Sequence, residues 1–194
     1  MLVGIPTNMP RSSPDRRLDI IEAGLAVLRE HGFAGFTQPR VASEAGVRQS
    51  HLTYYYPTRV DLLTAVAHAA IERLLAAVDT IVEASTPKAA AARIAGVTVR
   101  RENTRVIMAL AQVADQEPAL REIFRELADG IIVRLGKLLE QFKVKATDEH
   151  CYFVHALSVG MAVIHLATAR EDGERRSART LEIALNLLKR EAGK

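Results

Sequence analysis

Apolar side chains recur every three or four residues along almost the whole chain after its first 14 residues. In the first such segment, 15–31, the spacing runs through Leu18, Ile21, Leu25 and Leu28. Side chains at this spacing share one face of an α-helix, and that face packs against a core. No run of alternating β-branched residues is long enough to suggest a sheet. The pattern therefore predicts an all-α protein.

Capping and helix-breaking residues divide this pattern into nine predicted helices. Gly32 can end the first helix in a left-handed conformation. Thr37 can cap a short second helix that stops at Gly46. Thr58 and Asp61 have the spacing of a capping box at the start of the fourth helix. That helix continues to about residue 84, and the others are predicted over 47–55, 88–99, 102–115, 118–142, 147–171 and 176–191.

The second and third predicted helices have the layout of a helix-turn-helix, in which the second helix enters the DNA major groove. Ala42 is small where the two helices cross, and Gly46 allows the tight turn between them. We therefore divide the chain into a flexible arm (1–13), a three-helix helix-turn-helix unit (14–60) and a larger helical body (61–194). The fourth helix is shared by the last two parts, so they are mechanically continuous.

Composition narrows the location and partners of the protein. The chain has 26 Lys and Arg against 23 Asp and Glu, a net charge of +3, which is compatible with a polyanionic partner. Cys151 is its single cysteine, so no internal disulfide ties it to an oxidising compartment, and a cytoplasmic location fits best. The first ten residues contain two prolines where a signal peptide would be apolar, and Met9 is a possible native start. The apolar stretch 154–169 falls short of the roughly 20 residues that span a bilayer, so we expect no membrane insertion.

Residues 32–63, GFAGFTQPRVASEAGVRQSHLTYYYPTRVDLL, resemble the DNA-binding region of the tetracycline-repressor (TetR/AcrR-like) family of bacterial regulators. The matching positions are Gly32, Phe33, Thr37, Val41, Ala42, Ala45, Gly46, Val47, Leu52, Tyr55, Tyr56, Pro57, Thr58, Arg59, Leu62 and Leu63. Three positions depart from the family pattern: Arg48, Ser50 and Thr53. The resemblance implies a DNA-binding transcriptional regulator built from a helix-turn-helix unit and a helical body that binds an effector and dimerises.

Two groups of residues are predicted to contact DNA. The N-terminal end of the recognition helix reaches base edges, where Gln can pair with adenine and Arg with guanine. Its residues are Arg48, Gln49, Ser50 and His51. By the resemblance, four further residues contact phosphates: Thr37, Tyr54, Tyr55 and Arg59. Successive residues lie about 100° apart on a helix, so three adjacent tyrosines cannot share a face. Tyr56 matches the buried aromatic of the family and is expected to pack against the first and fourth helices.

The last two helices are candidates for a dimer interface. One recognition helix reads only a few base pairs, so a symmetric dimer on two half-sites is favoured. In the family the corresponding helices pair with their symmetry mates into a four-helix bundle. The predicted interface residues are Val154, Leu157, Gly160, Met161, Ile164, Leu181, Ala184, Leu185 and Leu188. The alternative is that both apolar stripes face the core of their own chain.

The middle helices carry a few polar residues on otherwise apolar faces, in the region of the family's effector pocket. The resemblance implies a mostly apolar small molecule as the ligand. The candidate pocket residues are Asn103, Met108, Gln112, Phe124, Phe153, His155, Met161 and His165. For the histidines, the alternative is a structural place in the core.

The sequence thus predicts a homodimeric, ligand-responsive repressor that binds a palindromic operator in double-stranded DNA. A second hypothesis is a DNA-binding regulator without a small-molecule effector, whose body recruits a protein partner. A third is a helical enzyme, because a thiol nucleophile or a zinc site could be formed by Cys151, His155 and the adjacent His150. Neither site has a third orienting group or a paired-ligand motif, so we expect no catalytic residue, no metal and no cofactor.

Overall fold

The computed structural model describes residues 13–84 and 86–191. Within those ranges the chain forms nine α-helices and no strand, as the periodicity predicts. The predicted arm lies outside the described residues except for its last position, and so does Met9. The helices are α1 (Ser13–Gly35), α2 (Gln38–Glu44), α3 (Gln49–Tyr55), α4 (Arg59–Val82), α5 (Pro87–Thr98), α6 (Arg101–Ala114), α7 (Pro118–Gln141), α8 (Asp148–Thr168) and α9 (Gly173–Glu191).

The helix α1 is longer than predicted, because it runs from Ser13 to Gly35 instead of from residue 15 to residue 31. Gly32 has the positive φ expected of it, +62°, but its ψ of −168° is not that of a left-handed helical cap, and helical backbone resumes afterwards as far as residue 35. Leu18, predicted to lie on the buried stripe, is 60% exposed. The other predicted positions do face the core, since Leu25 and Leu28 are buried and Ile21 is partly buried.

The helix-turn-helix is closed by local hydrogen bonds. The Thr37 hydroxyl oxygen accepts a hydrogen bond from the amide of Arg40 and caps α2, as predicted. Gly46 has φ +63°, and the following amide of Val47 donates to the Ala42 carbonyl at 2.9 Å. The recognition helix α3 begins two residues later than predicted, because the backbone of its N-cap residue, Arg48, is extended.

The long helix α4 belongs to both parts of the chain. It begins with the predicted capping box, in which Thr58 and Asp61 exchange two hydrogen bonds. Near its start it packs against α1, and farther along it packs against α5 and α7. Two ion pairs tie its exposed face to its neighbours: Arg73 with Glu22 of α1, and Asp79 with Arg134 of α7. The helix α4 therefore joins the body to the DNA-binding unit through direct contacts with both.

The predicted dimer interface needs correction. Val154 of α8 and four residues of α9 are buried in the core of their own chain: Leu181, Ala184, Leu185 and Leu188. They face inward because α9 packs along α5 and α8. Of the other predicted positions, Leu157 and Met161 are partly buried, whereas Gly160 and Ile164 are exposed.

By length and hydropathy, α8 alone among the described helices could cross a membrane. Several of its residues are nevertheless buried against the body, including Cys151, Val154 and Ala162. A second face of the same helix leaves apolar side chains exposed, among them Phe153 and Ile164. The high hydropathy of α8 thus reflects two apolar faces on one helix.

Candidate nucleic-acid interface and body cavity

The first turn of α3 presents four exposed side chains at the end of the helix-turn-helix: Arg48, Gln49, Ser50 and His51. The side chains of the first three make no hydrogen bond within the described part of the chain, so their donors and acceptors are available to a partner. No acidic residue occurs from residue 45 to residue 60. The surface therefore offers polar groups and positive charge to base edges and phosphates.

Two arginines of α1 reach the recognition helix, which was not foreseen from the sequence. Arg16 Nη1 lies 3.3 Å from Nδ1 of His51. Because a guanidinium only donates, Nδ1 acts as the acceptor in this contact and Nε2 carries the proton. The neighbouring Arg17 places its guanidinium 5.2 Å from the ring centre of Tyr55. Arg16 and Arg17 thus add positive charge beside the predicted base-reading residues.

The three adjacent tyrosines have different environments. Tyr54 is 80% exposed, and its ring meets that of Tyr55 edge-on at 5.2 Å. Tyr55 and Tyr56 are both partly buried and pack against the core. The Tyr56 carbonyl accepts a hydrogen bond from Gln38 Nε2 at 2.8 Å, and burial raises the pKa of its phenol. The inward position predicted for Tyr56 is therefore shared with Tyr55, and Tyr54 is the most accessible of the three.

Arg59 holds the kinked end of α1 against the start of α4. Its guanidinium lies 4.2 Å from the ring centre of Phe33, and Nη2 donates to the Phe33 carbonyl at 2.9 Å. The side chain is exposed, so its other nitrogens remain available to a phosphate. Thr37 is similar, because its hydroxyl oxygen caps α2 while the hydroxyl proton is free to donate.

A cavity of about 290 Å³ lies in the body between helices α4 to α8. Four of the eight predicted pocket residues line it: Asn103, Met108, Phe124 and His155. The other four do not: Gln112, Phe153, Met161 and His165. On α8 the cavity side is set by His155, so Phe153 points about 160° away. His165 packs instead against Gly173 of α9, where a Cβ atom would overlap its Nδ1.

Burial lowers the pKa of His155 below that of an ordinary histidine. Acidification is therefore expected to destabilise the wild-type protein more than a His155→Gln variant. The unfolded chain binds a proton at its ordinary pKa of about 6.5, whereas the folded chain does so only at lower pH. Above a pH of about 6.5 the imidazole is neutral in both states and its titration does not affect stability; below that pH the free energy of unfolding falls as the pH falls. Urea unfolding of both proteins above and below this pH measures the effect, and an equal decrease in the free energy of unfolding for the wild type and His155→Gln would contradict it.

Cys151 does not have the environment of a catalytic thiol. It is buried and free, and burial raises its pKa, whereas a nucleophilic cysteine needs a lowered one. Among the described residues, no group of three or more His, Cys, Asp or Glu could hold a metal ion.

The family model for bacterial regulatory proteins of the tetR family matches residues 20–66. These residues run from α1 through the helix-turn-helix into the first third of α4. Comparison with curated protein sequences gives no match.

Solved structures extend the similarity over most of the chain. A transcriptional regulator from Rhodococcus sp. Rha1 is 20% identical, with a TM-score of 0.80 over 93% of this chain and 97% of its own. A TetR family member from Streptomyces coelicolor A3 is 26% identical, with a TM-score of 0.71 over 88% and 98%. A regulator from Saccharomonospora viridis, crystallised in complex with choline, is 16% identical, with a TM-score of 0.73 over 90% and 97%.

Proposed function

We propose that this chain, which matches the family model of the tetR bacterial regulatory proteins over residues 20–66 and shares its fold with a solved TetR family member, is a cytoplasmic, homodimeric repressor. It binds a palindromic operator and releases it when a small molecule fills the body cavity. The observation that carries the proposal is the exposed first turn of α3, in which the side chains of Arg48, Gln49 and Ser50 make no hydrogen bond within the described part of the chain. This turn reads bases, while Thr37, Tyr54, Tyr55 and Arg59 contact phosphates together with Arg16 and Arg17.

The dimer forms through a surface that we call the outer α8–α9 face. Its exposed residues are Phe153, Gly160 and Ile164 of α8, and Ile183 and Leu187 of α9. A Cβ at Gly160 would meet nothing within 4 Å, so a second helix can approach its backbone closely. Exposed apolar side chains on two neighbouring helices favour a partner that covers them. A second copy of the chain would bring the two recognition helices into one particle.

The cavity and the DNA-binding unit share a wall. Leu74 of α4 and Asn103 and Ile107 of α6 line the cavity on one side and, on the other, a small cleft against α1. Leu25 and Arg29 of α1 form the far side of that cleft. A ligand that shifts this wall would move α1 and α4 together, and with them the recognition helix. DNA is released if the ligand prefers the arrangement in which the two α3 helices no longer fit the operator.

The presence of the cavity favours a regulator that responds to a small-molecule effector over one that only recruits a protein partner. Its chemistry differs from what choline requires, because a quaternary ammonium is held by several aromatic rings or by an acid. Phe124 is the one phenylalanine, tyrosine or tryptophan among the described residues that line the cavity. We therefore expect an effector other than choline.

Selection of binding sites from randomised DNA tests the proposed readout. Gln49→Ala should change the preferred base at one position in each half-site, because Gln49 is placed to contact base edges. Tyr54→Phe should keep the wild-type sequence preference and weaken binding to all sequences by about tenfold, since one hydrogen bond to a charged phosphate is lost. If Gln49→Ala selects the same sites as the wild type, the assignment of α3 as the reading element fails.

A further inference from the structure

The walls of the body cavity carry no charged side chain. Among the described residues that line it, none is an aspartate, glutamate, lysine or arginine. An ion that enters such a cavity gives up its hydration and finds no opposite charge. The cavity therefore discriminates against ligands with a formal charge.

The polar groups in the wall have mostly used their donors already. The hydroxyls of Thr98, Thr104 and Ser158 donate to backbone carbonyls at 2.8, 3.2 and 2.7 Å. Asn103 Nδ2 lies 3.4 Å from the Val97 carbonyl. These groups satisfy the helix backbone, which leaves the second N–H of Asn103 as the remaining donor among them.

His155 differs from these four residues. Its imidazole makes no hydrogen bond within the described part of the chain, and it lines the cavity. A neutral imidazole offers one N–H donor and one acceptor nitrogen, which match a hydroxyl or a carbonyl. A group of that kind is also what an uncharged apolar molecule can carry.

We propose that the effector is an uncharged, mainly apolar molecule that places one hydroxyl or carbonyl against His155. This inference rests on the proposed function, in which a small molecule fills the body cavity. Carboxylates and ammonium ions are excluded from the cavity. The ligand's apolar part fills the space between Leu74, Ile107, Phe124 and Ile131. Its single polar group fixes its orientation.

Calorimetric titration of the full-length protein without DNA tests the proposal. Four probes share one ring system: naphthalen-1-ylmethanol, 1-methylnaphthalene, 1-naphthoate and the naphthalen-1-ylmethylammonium ion. The pH is held above the ordinary pKa of histidine. We expect the alcohol to bind at least about tenfold more tightly than either ion, because only the ions must be desolvated without a counter-charge.

Variants identify the hydrogen-bonding group. His155→Phe should weaken the alcohol by about tenfold and leave 1-methylnaphthalene unweakened, and His155→Gln should restore part of the loss. His68→Phe, the same change at an exposed position of α4 that does not line the cavity, should alter neither affinity. If only the affinity for the alcohol falls, a hydrogen bond has been lost; if the affinities for the alcohol and the hydrocarbon fall together, the variant has lost its fold.

Three results would overturn the proposal: an ion that binds as tightly as the alcohol, an unchanged preference for the alcohol in His155→Phe, or no binding of any probe. The titration contains no DNA. The proposed effector chemistry can therefore be refuted while sequence-selective DNA binding is still observed. Conversely, DNA binding can be refuted while the cavity still binds the alcohol more tightly than the ions.

Discussion

The double variant Ile183→Asp/Leu187→Asp is expected to be a monomer and to bind its operator at least about a hundredfold more weakly than the wild type. Both side chains are more than half exposed in the single chain, at 55% and 56%, so the change does not open the core. In the proposed dimer they are covered, and covering two carboxylates without partners is strongly unfavourable. A monomer also has only one recognition helix per particle. Analytical ultracentrifugation and DNA-binding anisotropy measure the two effects.

Val133→Asp is the matched control for this variant. Val133 of α7 is 58% exposed and lies outside the outer α8–α9 face. The Val133→Asp variant should remain a dimer and bind the operator with wild-type affinity. A double variant that stays dimeric and keeps its affinity would show that the dimer forms through another surface.

Phe36→Ala is expected to lower the free energy of unfolding by about 3–5 kcal/mol, which is a large share of the stability of a domain. Phe36 is fully buried, and its ring lies beside Gly24 of α1, at the place where Val66 of α4 also approaches. Removing the ring leaves a cavity between the two helices that support the recognition helix. Urea unfolding followed by circular dichroism measures the loss.

Phe33→Ala provides the comparison. Phe33 is only partly buried, and one face of its ring is covered by the exposed Arg59 guanidinium. Its loss should be about 1–2 kcal/mol. Equal losses for the two variants would contradict the view that Phe36 anchors α1 to α4.

The positions of the helices could largely be predicted from the sequence, because the capping residues that begin them act on neighbours only a few positions away. Thr37 and Thr58 cap α2 and α4 as expected, and the capping residue of α8, Thr147, marks the start of that helix. Each cap needs only residues within three positions along the chain. The all-α architecture and the helix-turn-helix followed from such signals.

The faces of the helices were harder to assign. On α9 the strongest apolar stripe, which includes Leu181 and Leu185, is used by the chain's own core, and the exposed pair Ile183 and Leu187 lies on another side. On α8 apolar residues occupy several sides, so periodicity could not tell the cavity from the outer surface. Of the pocket residues predicted on α8, His155 therefore lines the cavity and Phe153 does not.

The contacts of the DNA-binding surface could be predicted only in part. The exposed turn at Gln49 follows from its place in the recognition helix. By contrast, Arg16 meets His51 and Arg59 meets Phe33 across separations of 35 and 26 residues. Such pairs depend on how α1 packs, and no local pattern in the sequence reports it.

The most direct test of the central claim is a fluorescence-anisotropy titration of the wild-type protein against two labelled DNA duplexes. One is the segment upstream of its own gene, and the other is a shuffled sequence of equal length and composition. We expect tighter binding to the upstream segment, with log affinity falling linearly as log salt concentration rises. Equal affinity for the two duplexes, or binding that does not respond to salt, would contradict the proposal that this protein binds a specific operator sequence in DNA.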